Sequence, residues 1–193
     1  SRHAFLDSGG KMTDLGTLPG GAFSQAYAIN SAGHVAGVAD SGGTRHAVVW
    51  RDGHIRDLGT LPGGGARCAI AINDHDQIAG YAAGPDGYHA FLSTAGKMQA
   101  LGTLGDDPSA ANAMNEPGDV VGASNVTETS RHAFLWHGGR LYDLNTLIPP
   151  DSGWVLTAAD GINRRGQIVC VGLHDHGPPS AVLLTPGSPP ARP

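Results

Sequence analysis

An all-β fold, a β-propeller of four-stranded antiparallel blades, is predicted by three observations. The tripeptide His-Ala-Phe, or a close variant, starts at His3, His46, His89 and His132, always 43 residues apart. Within each interval four short apolar segments recur in one order, separated by Gly-, Pro-, Asn- and Asp-rich turns. No segment carries a 3.6-residue apolar rhythm longer than one turn, so helices are not expected. A fixed period marks a chain built from copies of one supersecondary unit, and four strands in ~40–45 residues is the signature of a propeller blade. Parallel β-helices use shorter coils, leucine-rich repeats a period of about 20–29 residues, and a sandwich does not repeat its sequence.

The second copy shows each element. His46-Ala47-Val48-Val49-Trp50 reads as a strand, and Asp52-Gly53 as a tight hairpin turn. His54-Ile55-Arg56-Asp57-Leu58 alternates polar and apolar residues at period 2, as a half-buried strand does. Gly59 to Gly64 is a longer connection. Ala69-Ile70-Ala71-Ile72-Asn73 and Gln77-Ile78-Ala79-Gly80-Tyr81 are the remaining strands, joined at Asp74-His75-Asp76. The third segment ends at Asn30, Asn73, Asn115 and Asn163, and the fourth holds Gly37, Gly80, Gly122 and, in the last copy, Cys170. Small residues such as Ala26, Ala28, Ala69 and Ala71 suit a strand near a narrow axis. The Ala-x-Ala-x-Asn strand is therefore placed innermost and the Asp-Leu-Gly strand at the rim. Glycine in the fourth segment suits a place where a side chain would obstruct neighbouring backbone.

In this register residues 25–61, 67–104 and 110–147 form three whole blades. The C-terminus adds strands at 156–163, 167–173 and 181–185, and the N-terminus adds 4–7 and 12–15, which is five strands for one remaining four-stranded blade. The expectation is one repeat domain over 1–186 with about four blades, closed by strands from both termini or completed by another chain. Residues 187–193, Gly-Ser-Pro-Pro-Ala-Arg-Pro, read as a disordered tail.

Composition narrows the function classes. Glycine numbers 30 and proline 13, while charged residues are 15% and aromatics 6%, the profile of many short strands on tight turns. The net charge of −5 and the absence of a basic stripe argue against nucleic acid and against anionic membrane as partners. No apolar run approaches the ~18 residues of a membrane helix, and no signal peptide is present in the chain. Two cysteines, Cys68 and Cys170, do not make a disulfide framework; a bridge between them is left open. The opening Ser1-Arg2-His3 repeats Ser130-Arg131-His132, so the N-terminus reads as a processing boundary within a repeat.

These words resemble the HAF repeat family, a group of predicted extracellular bacterial repeat proteins. The resemblance rests on His3-Ala4-Phe5-Leu6, Asp14-Leu15-Gly16-Thr17-Leu18, Ala28-Ile29-Asn30 and their later copies, and spans roughly 1–186. Residues 153–186 resemble that family's closing repeat. The resemblance implies secretion and a chain truncated at its N-terminus, and it carries no activity or catalytic residue to transfer. The pattern is broken at Ala100, Asn145 and Cys170, and in the last unit, where Ser180-Ala181-Val182 replaces His-Ala-Phe 48 residues after His132.

His3, His46, His89 and His132 recur with Asp14, Asp57 and Asp143, which suits an aspartate fixing a histidine tautomer at a strand end. Ala100 in place of the fourth aspartate implies that this pairing is not obligatory. Asn30, Asn73, Asn115 and Asn163 precede turns and either bond their own turn backbone or line one mouth of the channel as ligand-binding residues. His75 and Trp154 join them as candidate ligand-binding residues. Asp74 and Asp76 lack the loop of a calcium site, and His174-Asp175-His176 lies in a Gly/Pro-rich loop, so no metal and no cofactor are expected. No nucleophile elbow and no Cys–His pair is present in the sequence, so no catalytic residue is assigned. Trp50 and Trp136, at the end of the His-Ala-Phe strand, pack between blades or stack on sugars. The expected function is a secreted binding or interaction module for extracellular polysaccharide or a cell-surface protein. The alternatives are a polysaccharide hydrolase or lyase using blade-specific residues such as Glu116, Arg164, Arg165 or His75, and a structural subunit that homo-oligomerises through its terminal blade strands.

Overall fold

The computed structural model describes residues 1–65 and 67–187. Its seventeen strands form five antiparallel sheets. A two-stranded sheet, β1 (Phe5–Ser8) and β2 (Lys11–Asp14), comes first. Three complete four-stranded meanders follow. They are β3 (Ser24–Ile29), β4 (Val35–Ser41), β5 (Thr44–Arg51), β6 (His54–Asp57); β7 (Cys68–Ile72), β8 (Ile78–Ala83), β9 (Tyr88–Thr94), β10 (Lys97–Ala100); and β11 (Ser109–Met114), β12 (Val120–Thr127), β13 (Ser130–His137), β14 (Arg140–Asp143). The last sheet has three strands, β15 (Trp154–Ile162), β16 (Ile168–His174) and β17 (Ser180–Leu184). The architecture is all-β and propeller-like, with sheets as blades. First strands of neighbouring blades touch, β3 on β7, β7 on β11 and β11 on β15, as strands nearest a common axis do.

The expected closure by strands from both termini is not present among the described residues: β1–β2 and β15–β17 remain separate sheets. The reason lies in the strand count. By register β1 and β17 are both third strands of the repeat: Phe5 pairs with Asp14 as Val48 does with Asp57, and Val182 pairs with Cys170 as Val48 does with Gly37. Two strands that claim one position cannot both join a four-stranded blade. Of the expected tail 187–193, residues 188–193 lie outside the described residues.

Local sequence explains the blade geometry. Asp52 and Gly53 both take positive φ, 51° and 75°, the two-residue turn whose twist matches a hairpin. The first strand of every blade bulges: the register slips between Ala26 and Ala28, Ala69 and Ala71, Ala111 and Ala113, and Ala159 and Gly161. The bulge pushes a carbonyl against the second strand. A Cβ on Gly37, Gly80 or Gly122 would lie 2.1, 2.0 or 2.0 Å from the carbonyl oxygen of Gln25, Cys68 or Ala110. Glycine is obligatory there. Cys170 occupies the same place in the last blade, where β15 has an additional slip between Leu156 and Ala158 that re-routes the backbone just upstream of Ala159.

Adjacent blades share apolar seams. Between the first and second full blades, Ala36, Ala47, Leu58 and Leu61 meet Ile78 and Phe91. The next seam joins Ala79, Ala90 and Leu101 to Val120 and Phe134. The third joins Val121, Ala133 and Leu144 to Leu156, Ile168 and Cys170. Small residues on the trailing face of one blade receive a large side chain from the leading face of the next, and the apolar surface so removed from water stabilises each seam at about 25 cal/mol per Å². Trp50 is buried in such a seam, and Trp136 packs half-buried against another. Both cysteines are free and buried, in different blades.

Candidate functional site

The repeated histidines face aspartates. His3 Nδ1 lies 2.8 Å from Asp14, His46 2.8 Å from Asp57 and His132 2.7 Å from Asp143. His89, whose partner position is Ala100, instead has Asp107 at 3.3 Å. An aspartate from the following connection thus stands beside His89 at ion-pair distance, although its Oδ1 makes no hydrogen bond. These pairs lie in separate blades, so they form four local struts and do not converge.

The asparagines form one continuous feature on the rim that carries the first-to-second-strand turns. Each Oδ1 accepts from a backbone N–H four residues on: His34, Gln77, Asp119 and Gln167, at 2.8–3.1 Å. The first three Nδ2 groups reach the next blade, whereas that of Asn163 donates to Gln167 Oε1 of its own turn at 2.7 Å. Asn30 donates to the Asn73 carbonyl at 3.1 Å, Asn73 to the Asn115 carbonyl at 3.4 Å, and Asn115 to the Asn163 carbonyl at 3.3 Å. Asn30, Asn73 and Asn115 are buried, whereas Asn163, at the end of this ladder, is exposed. The three buried amides have their hydrogen-bonding capacity committed to turn and seam.

Charged residues on the same rim are similarly engaged. Asp76 contacts His34 at 2.6 Å, Asn30 at 2.9 Å and the Arg51 guanidinium. Partial burial raises its pKa, but the bond and charge of His34, the charge of Arg51 and the amide of Asn30 outweigh this and hold it below the usual value. Asp74 accepts the Ser31 N–H at 2.8 Å, which lowers its pKa. His75 is largely exposed and 3.9 Å from Glu116. Trp154 lies in a different environment, its ring 4.9 Å from that of His174. His75 and Trp154 are therefore not brought together with the asparagines into one pocket. Among the described residues no cluster of three or more His, Cys, Asp or Glu could hold a metal ion.

The opposite rim holds a different arrangement, in the groove between the first two full blades. A cavity of about 210 Å³ is lined by Tyr27, Arg45, Arg67, Cys68, Tyr81 and Tyr88, with Val38. Tyr27 stands at the bulge of β3, which turns its side chain out of the ladder. The Arg67 guanidinium donates to the Tyr88 hydroxyl and lies over its ring at 4.9 Å. Tyr81 meets Tyr88 edge to face at 6.2 Å. Arg45 is held over Phe23 at 4.7 Å. Burial pushes the Cys68 thiol up to about 11, so it stays protonated and acts as a wall and not as a nucleophile. Burial first, and then Cys68, also raise Tyr27. The cavity thus offers three phenol rings, two guanidinium groups and phenolic hydroxyls.

The recurrent motifs do not point to this site, because its residues, apart from Arg45, which matches Arg2 and Arg131, do not recur. Tyr81 stands where Val38 and Ala123 stand in other blades, and Tyr88 where Arg45 and Arg131 do. Comparing copies position by position for replaced residues would have found it.

No family model matches the chain, and no curated protein matches it. Among solved structures it is similar to the acylaminoacyl peptidase of Pyrococcus horikoshii, with 15% identity and a TM-score of 0.54 over 90% of this chain and 27% of that one. It is also similar to TolB from Acinetobacter baumannii, with 11% identity and a TM-score of 0.54 over 91% of this chain and 46% of that one. The chain spans less than half the length of either. At these identities the likeness concerns the fold alone: the chain is a propeller-like β-repeat protein.

Proposed function

We propose that the chain is an extracellular binding module of the propeller-like class, and that its ligand is an acidic polysaccharide. The observation that carries this reading is the cavity of Tyr27, Tyr81, Tyr88, Arg45 and Arg67. Flat aromatic faces stack on the apolar faces of sugar rings, and guanidinium forks pair with carboxylates in bidentate geometry. The cationic groups sit in a chain of net charge −5, so they draw an anion to one place and not to the surface at large. Secretion rests on the resemblance to extracellular repeat proteins. The asparagine ladder leaves this reading, because its amides serve the seams. Titration calorimetry with uronate oligomers and with neutral oligosaccharides of equal length tests it. Binding of the uronates, weakened at least tenfold by Arg67→Ala, is the expected result; no heat with either class, or binding untouched by Arg67→Ala, would overturn it.

A further inference from the structure

The turn rim breaks its own repetition in the seam between the first and second full blades. Ser93 ends the third strand of the second blade, opposite Ile78. The same register place in the neighbouring blades is Trp50, opposite Val35, and Trp136, opposite Val120. Ser93 is as deeply buried as Trp50, at 2% against 3% exposed, but is far smaller. A cavity of about 400 Å³ opens beside it, with Val49, Leu58 and Ile78 as an apolar floor. The corresponding cavity beside Trp50 is about 270 Å³. The mouth of the larger cavity carries charge that the other copies lack. Asp76 takes a positive φ of 55° in the turn place held elsewhere by Gly33, Gly118 and Gly166. Its carboxylate meets the Arg51 guanidinium and His34, so its charge is answered. Arg56 stands where Gln99 and Tyr142 stand in the later blades. Among the described residues the ion pair at this mouth uses Arg51 and leaves Arg56 without a carboxylate. The Arg56 guanidinium lies over Gly96, where a Cβ would come within 2.5 Å of Nη2, so glycine there gives it room.

We propose that this cavity is a second ligand site, for a planar aromatic acid: the ring lies beside Ser93 on the Val49, Leu58 and Ile78 floor, and its carboxylate pairs with the Arg56 guanidinium. The repeat itself shows what the space accepts, because the same register place holds an indole in two other blades. An apolar hollow takes up a ring of matching shape. Charge decides the rest of the ligand. Asp76 is neutralised by Arg51 and His34, so Arg56 is the cation left to pair, and its fork matches a carboxylate in bidentate geometry. His75, also at the mouth, is turned towards Glu116 at 3.9 Å. No Phe, Tyr or Trp lines this cavity, so it offers a sugar ring no aromatic face to stack on. That separates it from the Tyr/Arg cavity on the opposite rim, with which it shares no residue. The inference stands whether or not that other cavity binds a polysaccharide.

Titration calorimetry of the whole chain with indole-3-acetate, indole and acetate tests it. Indole-3-acetate is expected to bind, indole to bind at least tenfold more weakly, and acetate to give no heat. Ser93→Trp, which restores the residue of the neighbouring blades, is expected to weaken indole-3-acetate at least tenfold. Arg56→Gln, which borrows the residue found at 99, is expected to bring indole-3-acetate down to the level of indole and to leave indole unchanged. Arg56 is exposed, so this variant keeps the fold, which circular dichroism verifies, and it decides the matter should Ser93→Trp overpack the seam. Arg67→Ala, in the other cavity, is expected to change nothing. No heat from indole-3-acetate at millimolar concentration overturns the inference, as does binding that survives a folded Ser93→Trp or is lost with Arg67→Ala. Equal losses of indole and indole-3-acetate in Arg56→Gln would overturn it as well.

Discussion

The two rims of this molecule are cut from one repeat and end in opposite states. On the turn rim, every blade spends its polar groups on its neighbours: Asn73 serves its own turn through Gln77 N–H and the next blade through the Asn115 carbonyl. On the opposite rim, between the first two full blades, Arg67, Tyr81 and Tyr88 satisfy one another at the wall of a cavity while their outer faces stay open to solvent. Repetition favours mutual satisfaction, because a group that helps one seam helps all of them. A ligand site has to break the repetition, since a residue present in every blade acquires a partner in every blade.

The largest effect expected from breaking this contrast is at a seam. Gly80→Ala places a methyl group 2.0 Å from the Cys68 carbonyl oxygen. It should destabilise by about 3 kcal/mol, at the upper end of overpacking, measured by urea denaturation. Asn73→Ala, which strips a buried turn of its acceptor and the seam of its donor, should cost about 2 kcal/mol. Asn163→Ala, the exposed end of the same ladder, should cost about 0.5 kcal/mol; equal losses at both would refute a ladder whose strength lies in the buried seams. Next comes the cavity. Tyr88→Ala should lower uronate affinity about tenfold, or about 1.4 kcal/mol, while changing unfolding free energy by no more than about 0.5 kcal/mol.

The smallest expected effect is electrostatic. The Asp76 carboxyl has a folded-state pKa below its unfolded value, so its contribution is complete above about pH 4 and is lost as pH falls through the lower folded value. Asp76→Asn should therefore flatten the acid limb of the stability curve below about pH 4, by less than about 1 kcal/mol given its partial exposure. In the cavity, the Cys68 thiol, raised to about 11, should resist iodoacetamide at pH 8 in the folded protein and react on unfolding. Fast labelling of the native chain at Cys68 would mean that the cavity wall opens.

The blade is written in local pattern. The 43-residue period, the Asp52-Gly53 hairpin and the Ala-x-Ala-x-Asn strand specify four antiparallel strands, because turn chemistry and period-2 alternation act over a few residues. The need for glycine at 37, 80 and 122 was legible as crowding, although its cause, a bulged carbonyl in the first strand, was not. The relations between blades arise only in the assembled fold. Asp107 stands beside His89 where Ala100 offers no carboxylate, the asparagine amides bond across seams, and Tyr27, Arg67 and Tyr88 converge from separate segments. Strand pairing is set by local pattern, but contacts between blades depend on how far each bulge turns a side chain and on which face has a neighbour. That is also why Val169 and Val121, alike in residue and register, end one exposed and the other fully buried.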